Sequence, residues 1–159
     1  MRIDAHQHYW TYDPATYEWI VDNGLAPLER DFLPEHLAPL LNAAGLDGSV
    51  AVQARCHEDE TRWLLGLAEA VPHCLGVVGW VDLTAPDVAE RLDAHAHPKL
   101  VGMRHVAQDE PDDYWLARDD VARGVAALGE RGLTYDLLVV PRQLPAAVTL
   151  ATRLPDVPF

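Results

Sequence analysis

Short apolar runs alternate with segments of helical periodicity along this chain, and this alternation restricts the fold more than any other feature of the sequence. Five runs read as strands, and several are apolar throughout, as strands buried on both faces are. They cover residues 2–6, 49–54, 75–81, 100–106 and 133–140. Strands that alternate with helices in this way are typical of β/α units around a parallel sheet. We therefore predict an α/β protein with about five β/α units.

Apolar residues at helical spacing lie between these runs, and most of the stripes end at a glycine or proline. The first predicted helix begins near His36, which places Pro39 in the first turn, where proline is tolerated. Histidines on or beside the helices, namely His36, His73, His95 and His97, are expected at the surface. The stripes are Leu37, Leu40, Leu41 and Ala44, ended by Gly45; Leu64, Leu67, Ala68 and Val71, ended by Pro72; Val88, Leu92 and Ala96; Val121, Val125 and Leu128, ended by Gly132; and Leu144, Val148 and Ala151, starting near Pro141.

Residues 9–32 break the alternation because they are long, rich in aromatic side chains and follow directly on the first strand. We interpret them as a long first β/α loop above the strand ends. Loops of this length are usually lids or recognition loops, and the alternative is an aromatic loop packed against the rim of the sheet.

Composition and charge favour one globular domain spanning residues 1–159. The chain is 49% hydrophobic and 23% charged, and its formal net charge of −13 disfavours nucleic acid or an anionic membrane as a partner. Cys56 and Cys74 are too few for a disulfide framework, which predicts a reducing compartment and a cytoplasmic location. Neither a leader segment nor a run of about 18 apolar residues is visible, so no secretion or membrane insertion is expected.

The last residues, 154–159, read as a helix exit that leads into the first residue or two of a sixth strand. A complete (β/α)8 barrel needs about 250 residues. We therefore expect an N-terminal partial barrel of the TIM type that is incomplete at its C-terminal end. The alternative is an open five-stranded doubly wound sheet, complete at this length.

A His-x-His pair marks the first strand as a site. Asp4, His6 and His8 alternate in sequence, and alternate side chains of a strand share one face. Neutral imidazole is the commonest metal ligand and can act as a general acid or base near neutral pH. The alternative is an idle pair or the remnant of a tag, but apolar Ile3 and Ala5 and the lack of a polyhistidine run favour a site.

Polar side chains recur where the predicted strands end, and in parallel α/β folds binding groups gather at that edge. Arg104 is the most informative, because a guanidinium at the end of an apolar strand is costly to bury unless it meets a carboxylate or a substrate oxyanion. For each of the others a structural role, such as capping or packing, is the alternative. The strand-end candidates are Asp4, His6 and His8; Gln53, Arg55 and His57; Trp80 and Asp82; Arg104 and His105; and Tyr135, Asp136 and Arg142.

Other catalytic motifs are missing from the sequence. There is no Gly-x-Ser-x-Gly elbow, glycine-rich phosphate loop or His-Glu-x-x-His motif. Ser49 is the only serine and opens a strand rather than ending one. Water is therefore the expected nucleophile.

Five motifs in order carry a resemblance to a known family. They are Asp-Ala-His-Gln-His-Tyr-Trp at 4–10, Val-Gln-Ala at 52–54, Gly-Val-Val-Gly-Trp-Val-Asp-Leu at 76–83, Gly-Met-Arg-His at 102–105 and Tyr-Asp-Leu-Leu-Val at 135–139. With these motifs the chain resembles the branch of the amidohydrolase superfamily that contains sugar lactonases similar to L-fuconolactonase and L-rhamnonolactonase.

The resemblance implies a (β/α)8 barrel and hydrolysis of a small-molecule sugar lactone, an aldonolactone, by activated water. It implies that His6 and His8 are catalytic and can bind a divalent metal, zinc or manganese, although some members work without metal. It also implies that Arg104 holds the carbonyl or carboxylate oxygen of the substrate. Tyr135 or Asp136 is the implied substrate contact on the fifth strand, beside the strand-end candidates Gln53, Trp80 and His105.

Two groups implied by the resemblance have no counterpart in the sequence. A sixth-strand histidine is expected just after Phe159, and an eighth-strand aspartate, the expected general base, further on. One alternative function is a metal-dependent non-oxidative decarboxylase of the same superfamily. Another is an inactive truncated half barrel whose open edges would associate, for example as a homo-oligomer.

Overall fold

A computed structural model describes residues 1–159 as one parallel sheet flanked by helices. The strands are β1 (Ile3–Gln7), β2 (Gly48–Val52), β3 (Cys74–Gly79), β4 (Leu100–His105) and β5 (Thr134–Leu137). The helices are α1 (Glu18–Asp22), α2 (Pro34–Ala44), α3 (Glu58–Ala70), α4 (Val88–Ala94), α5 (Asp119–Gly129) and α6 (Leu144–Arg153). Short 3-10 turns cover Ala26–Leu28, Ala107–Asp109, Trp115–Ala117 and Pro141–Gln143.

The strands follow one another in the order β1-β2-β3-β4-β5, and every neighbouring pair is parallel. A doubly wound sheet reverses its strand order, so the sequential order excludes that alternative. The sheet also curls. Arg104 Nη1 on β4 lies 3.2 Å from His6 Nε2 on β1, although flat strands three spacings apart would lie about 14 Å from each other. The predicted partial β/α barrel is therefore confirmed.

The two edges of the sheet differ. β1 pairs only with β2, and its register shifts between Asp4 and Gln7. β5 pairs with β4, and on its outer side Tyr135 N donates a hydrogen bond of 2.9 Å to Pro158 O. The last residues of the chain therefore run alongside β5.

The helices pack on the outer face of the sheet around a core of 26 buried residues. The approach is close at Gly124 on α5, where a Cβ would lie 2.1 Å from Leu83 O. Helix α2 ends at Gly45, whose φ of 64° is the left-handed conformation that glycine adopts easily. No helix is both long enough and apolar enough to cross a membrane.

Two helical predictions were wrong. Helix α2 begins at Pro34 rather than near His36, so Pro39 lies in the helix interior, on an exposed face. The predicted apolar stripe of α6 faces solvent, since Leu144 is 52% and Val148 is 64% exposed. This helix buries Ala146, Ala147 and Leu150 instead, and it packs mainly against the 3-10 turn Trp115–Ala117.

Residues 9–32 form a small subdomain with its own packing. Trp10 and Phe32 join in an antiparallel bridge, and their rings lie 4.9 Å apart. Trp10 also packs with Tyr17 and Ile20 in a second apolar cluster. The segment that was interpreted as a loop therefore contains helix α1, a 3-10 turn and a fixed aromatic core.

Two polar side chains join elements away from the strand ends. Lys99 Nζ donates to Ala68 O at 2.5 Å and to Cys74 O at 2.8 Å, which ties α3 to the segment before β4. His95 was expected at the surface, but its side chain is 1% exposed and lies 3.3 Å from Glu58 Oε2. This pairing with α3 was not visible from α4 alone.

Candidate functional site

A cavity of about 790 Å³ opens at the carboxyl ends of the strands. Side chains from β1, from the exits of β2 and β4, and from helix α1 line it. It brings together five of the predicted strand-end residues, namely His6, His8, Arg55, Arg104 and His105. This clustering follows from the parallel sheet, because the carboxyl ends of all its strands lie at one edge.

His8 is held in one tautomer. Its Nδ1 lies 2.8 Å from Val52 O, and since a carbonyl only accepts, Nδ1 carries the proton. Burial lowers the pKa of His8 to about 4, so the ring is neutral near pH 7. The Nε2 atom of His8 therefore presents a lone pair.

His6 faces both His8 and Arg104. Its Nε2 lies 3.2 Å from His8 Nε2 and 3.2 Å from Arg104 Nη1. Because a guanidinium only donates, His6 Nε2 accepts the hydrogen bond from Arg104. The Nε2 atoms of His6 and His8 then face each other without a hydrogen between them. Burial, with the charge of Arg104, lowers the pKa of His6 as well, so protonation does not relieve this contact near neutral pH.

Arg104 is 6% exposed and has no carboxylate within ion-pair distance. Its Nη2 donates to Gln53 O, while Gln53 Nε2 donates to Arg104 O at 3.0 Å. These two hydrogen bonds link β2 to β4, which lie on either side of β3, and we call this pair of bonds the clasp. Burial lowers the pKa of Arg104, and the nearby charge of Asp136 opposes that shift. A buried cation without a bound anion is costly, so this position favours an electron-rich ligand atom.

Tyr135 and Asp136 lie on opposite faces of β5. Asp136 is in register with Arg104, and its charge acts on both Arg104 and His6. Tyr135 is in register with Met103, fully buried, and packs edge-on against Phe159. Burial raises the pKa of Tyr135. The structure therefore does not bring Tyr135 to the cavity.

His105 belongs to a hydrogen-bonded chain with Trp80 and Glu110. Trp80 Nε1 lies 3.1 Å from His105 Nδ1, and His105 Nε2 lies 2.7 Å from Glu110 Oε1. The His105 ring also stacks on Trp115, with centroids 4.2 Å apart and planes at 12°. Trp80 therefore supports His105 and does not line the cavity, just as Gln53 supports Arg104.

Sequence reasoning missed the carboxylates of Glu60 and Glu110. Glu60 on α3 is 2% exposed and accepts hydrogen bonds from Ala54 N and Arg55 N, where β2 leaves the sheet. Burial raises the pKa of Glu60 to about 6. Glu110 follows the 3-10 turn after β4. Neither residue ends a strand, so the strand-end pattern could not find them.

Cys56 was noted only for its redox meaning, but it lines the cavity. Burial raises the pKa of the Cys56 thiol, Arg104 opposes this shift and Glu110 adds to it. Charges of both signs therefore act on this thiol.

The residues of this chain do not complete a metal site. No group of three or more His, Cys, Asp or Glu side chains is placed to hold a metal ion. His6 and His8 offer two nitrogen ligands, whereas catalytic zinc sites usually use three protein ligands. Arg104 also donates to the lone pair of His6 that a metal would need.

Residues 3–159 match the model of one protein family, described as Amidohydrolase (Amidohydro_2). A curated relative named L-fucono-1,5-lactonase, from Burkholderia multivorans, is 47% identical over 154 residues, which cover 96% of this chain and 52% of the relative. Another L-fucono-1,5-lactonase, from Burkholderia ambifaria, is 37% identical over 155 residues, which cover 97% and 53%. The chain thus spans about half the length of the curated relatives it matches.

A solved structure supports the same relationship. An amidohydrolase from Burkholderia multivorans, crystallised with bound zinc, superposes with a TM-score of 0.93 and 46% sequence identity. The match covers 98% of this chain and 55% of that structure. The five parallel strands therefore correspond to about half of a related protein.

Proposed function

Because this chain belongs to the amidohydrolase family, we propose that it is a hydrolase chain that opens a sugar lactone by attack of an activated water. The observation that carries the proposal is Arg104, a buried guanidinium without an ion-pair partner at the wall of the cavity. The resemblance to two proteins named L-fucono-1,5-lactonase supports an aldonolactone as the substrate.

Arg104 would hold the lactone carbonyl oxygen. When water attacks the carbonyl carbon, negative charge develops on that oxygen, and a fixed cation at a site with little water stabilises it. The clasp with Gln53 holds the guanidinium in place before the substrate arrives. No reorganisation of this group is then needed during the reaction.

His8 would orient the attacking water. Its Nδ1 carries the proton, so its Nε2 lone pair can accept a hydrogen bond from water, whereas the lone pair of His6 Nε2 already accepts from Arg104. With its pKa of about 4, His8 is a weak base near neutral pH, so its proposed role is to position rather than to deprotonate.

The proposed role of a metal ion is limited by the number of ligands in this chain. His6 and His8 would supply two ligands to zinc or manganese, which would act as a Lewis acid toward the carbonyl oxygen. Two ligands with Arg104 beside them do not complete a metal site in this chain. The proposed mechanism therefore uses only the residues of the chain.

We propose that the chain resides in a reducing compartment and can associate with copies of itself. Cys56 and Cys74 are both free, which supports a reducing and hence cytoplasmic compartment. The unpaired edge of β1 offers a surface through which copies of the chain could associate.

Acid release from a panel of aldonolactones tests the proposal. The chain is mixed with each lactone in weak buffer at neutral pH, with and without zinc or manganese, and proton release is followed. We expect release by the wild-type chain from at least one aldonolactone. Absence of release from every lactone would overturn the proposal, and metal-dependent release of carbon dioxide from carboxylated substrates would favour a decarboxylase instead.

A further inference from the structure

Arg55 at the cavity wall carries a guanidinium that binds no other group of the chain. The residue is half-buried, lines the cavity and forms no ion pair, and its Nε is buried without a hydrogen-bond partner. Every other arginine except the exposed Arg30 donates from its guanidinium to a carboxylate or a backbone carbonyl. Because buried polar groups nearly always have a partner, this unpaired guanidinium indicates a ligand.

Two contacts hold Arg55 in place, and neither uses the donors of its guanidinium. Its backbone N donates to Glu60 Oε2 at 2.8 Å, and the preceding Ala54 N donates to the same carboxylate. Its Cζ lies 5.9 Å from the ring centroid of Tyr17, which is buried in the second apolar cluster. A guanidinium over an aromatic face is attracted to the ring. Helix α3 and the subdomain of residues 9–32 therefore hold Arg55, while its terminal amino groups stay free to donate.

Arg55 lies nearer to solvent than Arg104 on the wall of the same cavity. Arg104 is 6% exposed and donates to Gln53 O, whereas Arg55 is half-buried and follows Gln53 by two residues. Two residues of extended chain span at most about 7 Å, so one small ring can meet both guanidinium groups. A lactone whose carbonyl oxygen meets Arg104 would present its remaining ring atoms, which carry the hydroxyl groups, to Arg55.

The cavity offers hydrogen-bond acceptors together with the donors of Arg55. Asn23 lines the cavity and donates through Nδ2 to Trp19 O at 2.7 Å, which leaves its Oδ1 without a partner. Asp109 also lines the cavity and is exposed. A hydroxyl group both donates and accepts, so the hydroxyl groups of a sugar ring match this mixture. A carboxylate in the same place would meet the negative charge of Asp109, which disfavours an acidic ligand.

We propose that Arg55 recognises the hydroxyl groups of the sugar lactone and holds two neighbouring hydroxyl oxygens with its terminal amino groups; this inference rests on the proposed lactone hydrolysis. The planar guanidinium presents parallel N–H donors, which suit a pair of adjacent oxygens. Tyr17 supports the guanidinium from the subdomain of residues 9–32, and Asn23 of the same subdomain accepts from a further hydroxyl. Arg55 thus determines which lactone binds and does not act on the bond that breaks.

Arg55→Met tests the proposal in the acid-release assay with two matched substrates. One is a six-membered aldonolactone, and the other is δ-valerolactone, which has the same ring without hydroxyl groups. We expect kcat/KM for the aldonolactone to fall about 10- to 100-fold, mainly through a higher KM, as for the loss of hydrogen bonds to a charged group. Turnover of δ-valerolactone should stay within roughly twofold of wild type, because that ring offers Arg55 no hydroxyl.

Two further variants separate recognition from a structural role. Arg62→Met removes an exposed arginine of α3 that pairs with Asp59 outside the cavity, and it should leave the turnover of both lactones unchanged. Arg55→Lys keeps the charge without the parallel donors, so it should recover only part of the preference for the hydroxylated ring. A purely structural role of Arg55 would lower turnover of both lactones alike. Circular dichroism checks that each variant is folded.

The outcomes distinguish this inference from the proposed hydrolysis. If Arg55→Met keeps its kcat/KM for the aldonolactone, or loses activity on both lactones alike, the role of Arg55 is overturned and the lactonase proposal stands. A loss confined to a lactone with a free carboxylate, such as a hexaric acid monolactone, would make Arg55 an anion site and also overturn the inference alone. A wild-type chain that releases no acid from any lactone would overturn both.

Discussion

The carboxyl ends of β1 and β4 contribute to the same cavity but are built differently. β1 is an edge strand with no buried residue, and His6 at its end is exposed. β4 lies between two strands, and Arg104 at its end is 6% exposed and clasped to β2 through Gln53. The cation of the site is therefore fixed, whereas the His6 imidazole stands on the less constrained strand.

This difference fits the tasks proposed for the two sides. Stabilising charge requires a group that is in place before the reaction, since reorganisation would use up part of the electrostatic gain. Orienting a water requires only acceptors within reach.

The largest expected effect is on the β4 side. Arg104→Met removes the oxyanion contact and should lower kcat/KM by about 10²- to 10³-fold, as loss of one preorganised donor does. His6→Ala on β1 should lower kcat/KM less, because it removes only the hydrogen-bond acceptor of Arg104 Nη1 and leaves the cation in place. The measurement is acid release by both variants, with Arg123→Met, an exposed arginine on α5, as the control. Equal losses for the two variants would contradict the asymmetry.

The next effect is a dependence of stability on pH at His8. The folded pKa is about 4 and the unfolded value 6.5, so the folded state binds the proton less tightly. The contribution of His8 to the free energy of unfolding is fully present above pH 6.5. It falls by on the order of 3 kcal/mol as the pH drops toward 4. Urea unfolding between pH 7 and pH 4 measures it. His8→Gln should remove this loss, and an unchanged slope would contradict the assignment.

The effect of Glu60 on the pH dependence of stability is opposite in sign to that of His8 and smaller. Its folded pKa is about 6 and its unfolded value 4.5, so the folded state binds the proton more tightly. The ionised carboxylate costs on the order of 2 kcal/mol above pH 6, and this cost disappears as the pH falls toward 4.5. Glu60→Gln should therefore make the acid-induced loss of stability steeper than in wild type. The same urea series tests it, and a shallower slope would be inconsistent with a raised pKa.

The smallest expected effect tests whether the clasp between Gln53 and Arg104 acts on ligand binding. Gln53→Met and Gln143→Met each remove a buried amide that donates to a backbone carbonyl, Arg104 O in one case and Ala107 O in the other. Each should lower the free energy of unfolding by about 1–2 kcal/mol. Only Gln53→Met should also weaken binding of an aldonate anion, measured by calorimetry. Equal weakening in both variants would show that the clasp does not act through Arg104.

The fold could be predicted from the sequence because its signals are local. Runs of buried strand residues and helix stops placed every strand within a few residues of its observed bounds. The prediction of the buried face of α6 was wrong because periodicity shows which residues share a face, not which face is buried. There the alanines pack and the larger Leu144 and Val148 remain exposed.

The site could be predicted only in part, for a related reason. His6, His8, Arg104 and His105 follow from the strand-end rule, and the cavity brings them together. Gln53, Trp80 and Tyr135 obey the same rule, but their side chains support neighbours or enter the core. A sequence shows where a strand ends, whereas the direction of each side chain depends on residues far along the chain.

Lys99 is the only lysine of the chain, and both carbonyls that its amine binds lie in other elements of the fold. A protease specific for lysine therefore has a single cleavage site, at the junction of α3, β3 and β4. Cleavage requires that this junction opens, because a protease needs an extended, accessible segment. The rate at which the two fragments appear would therefore report how often the sheet opens at this junction. Loops without lysine cannot contribute to that rate.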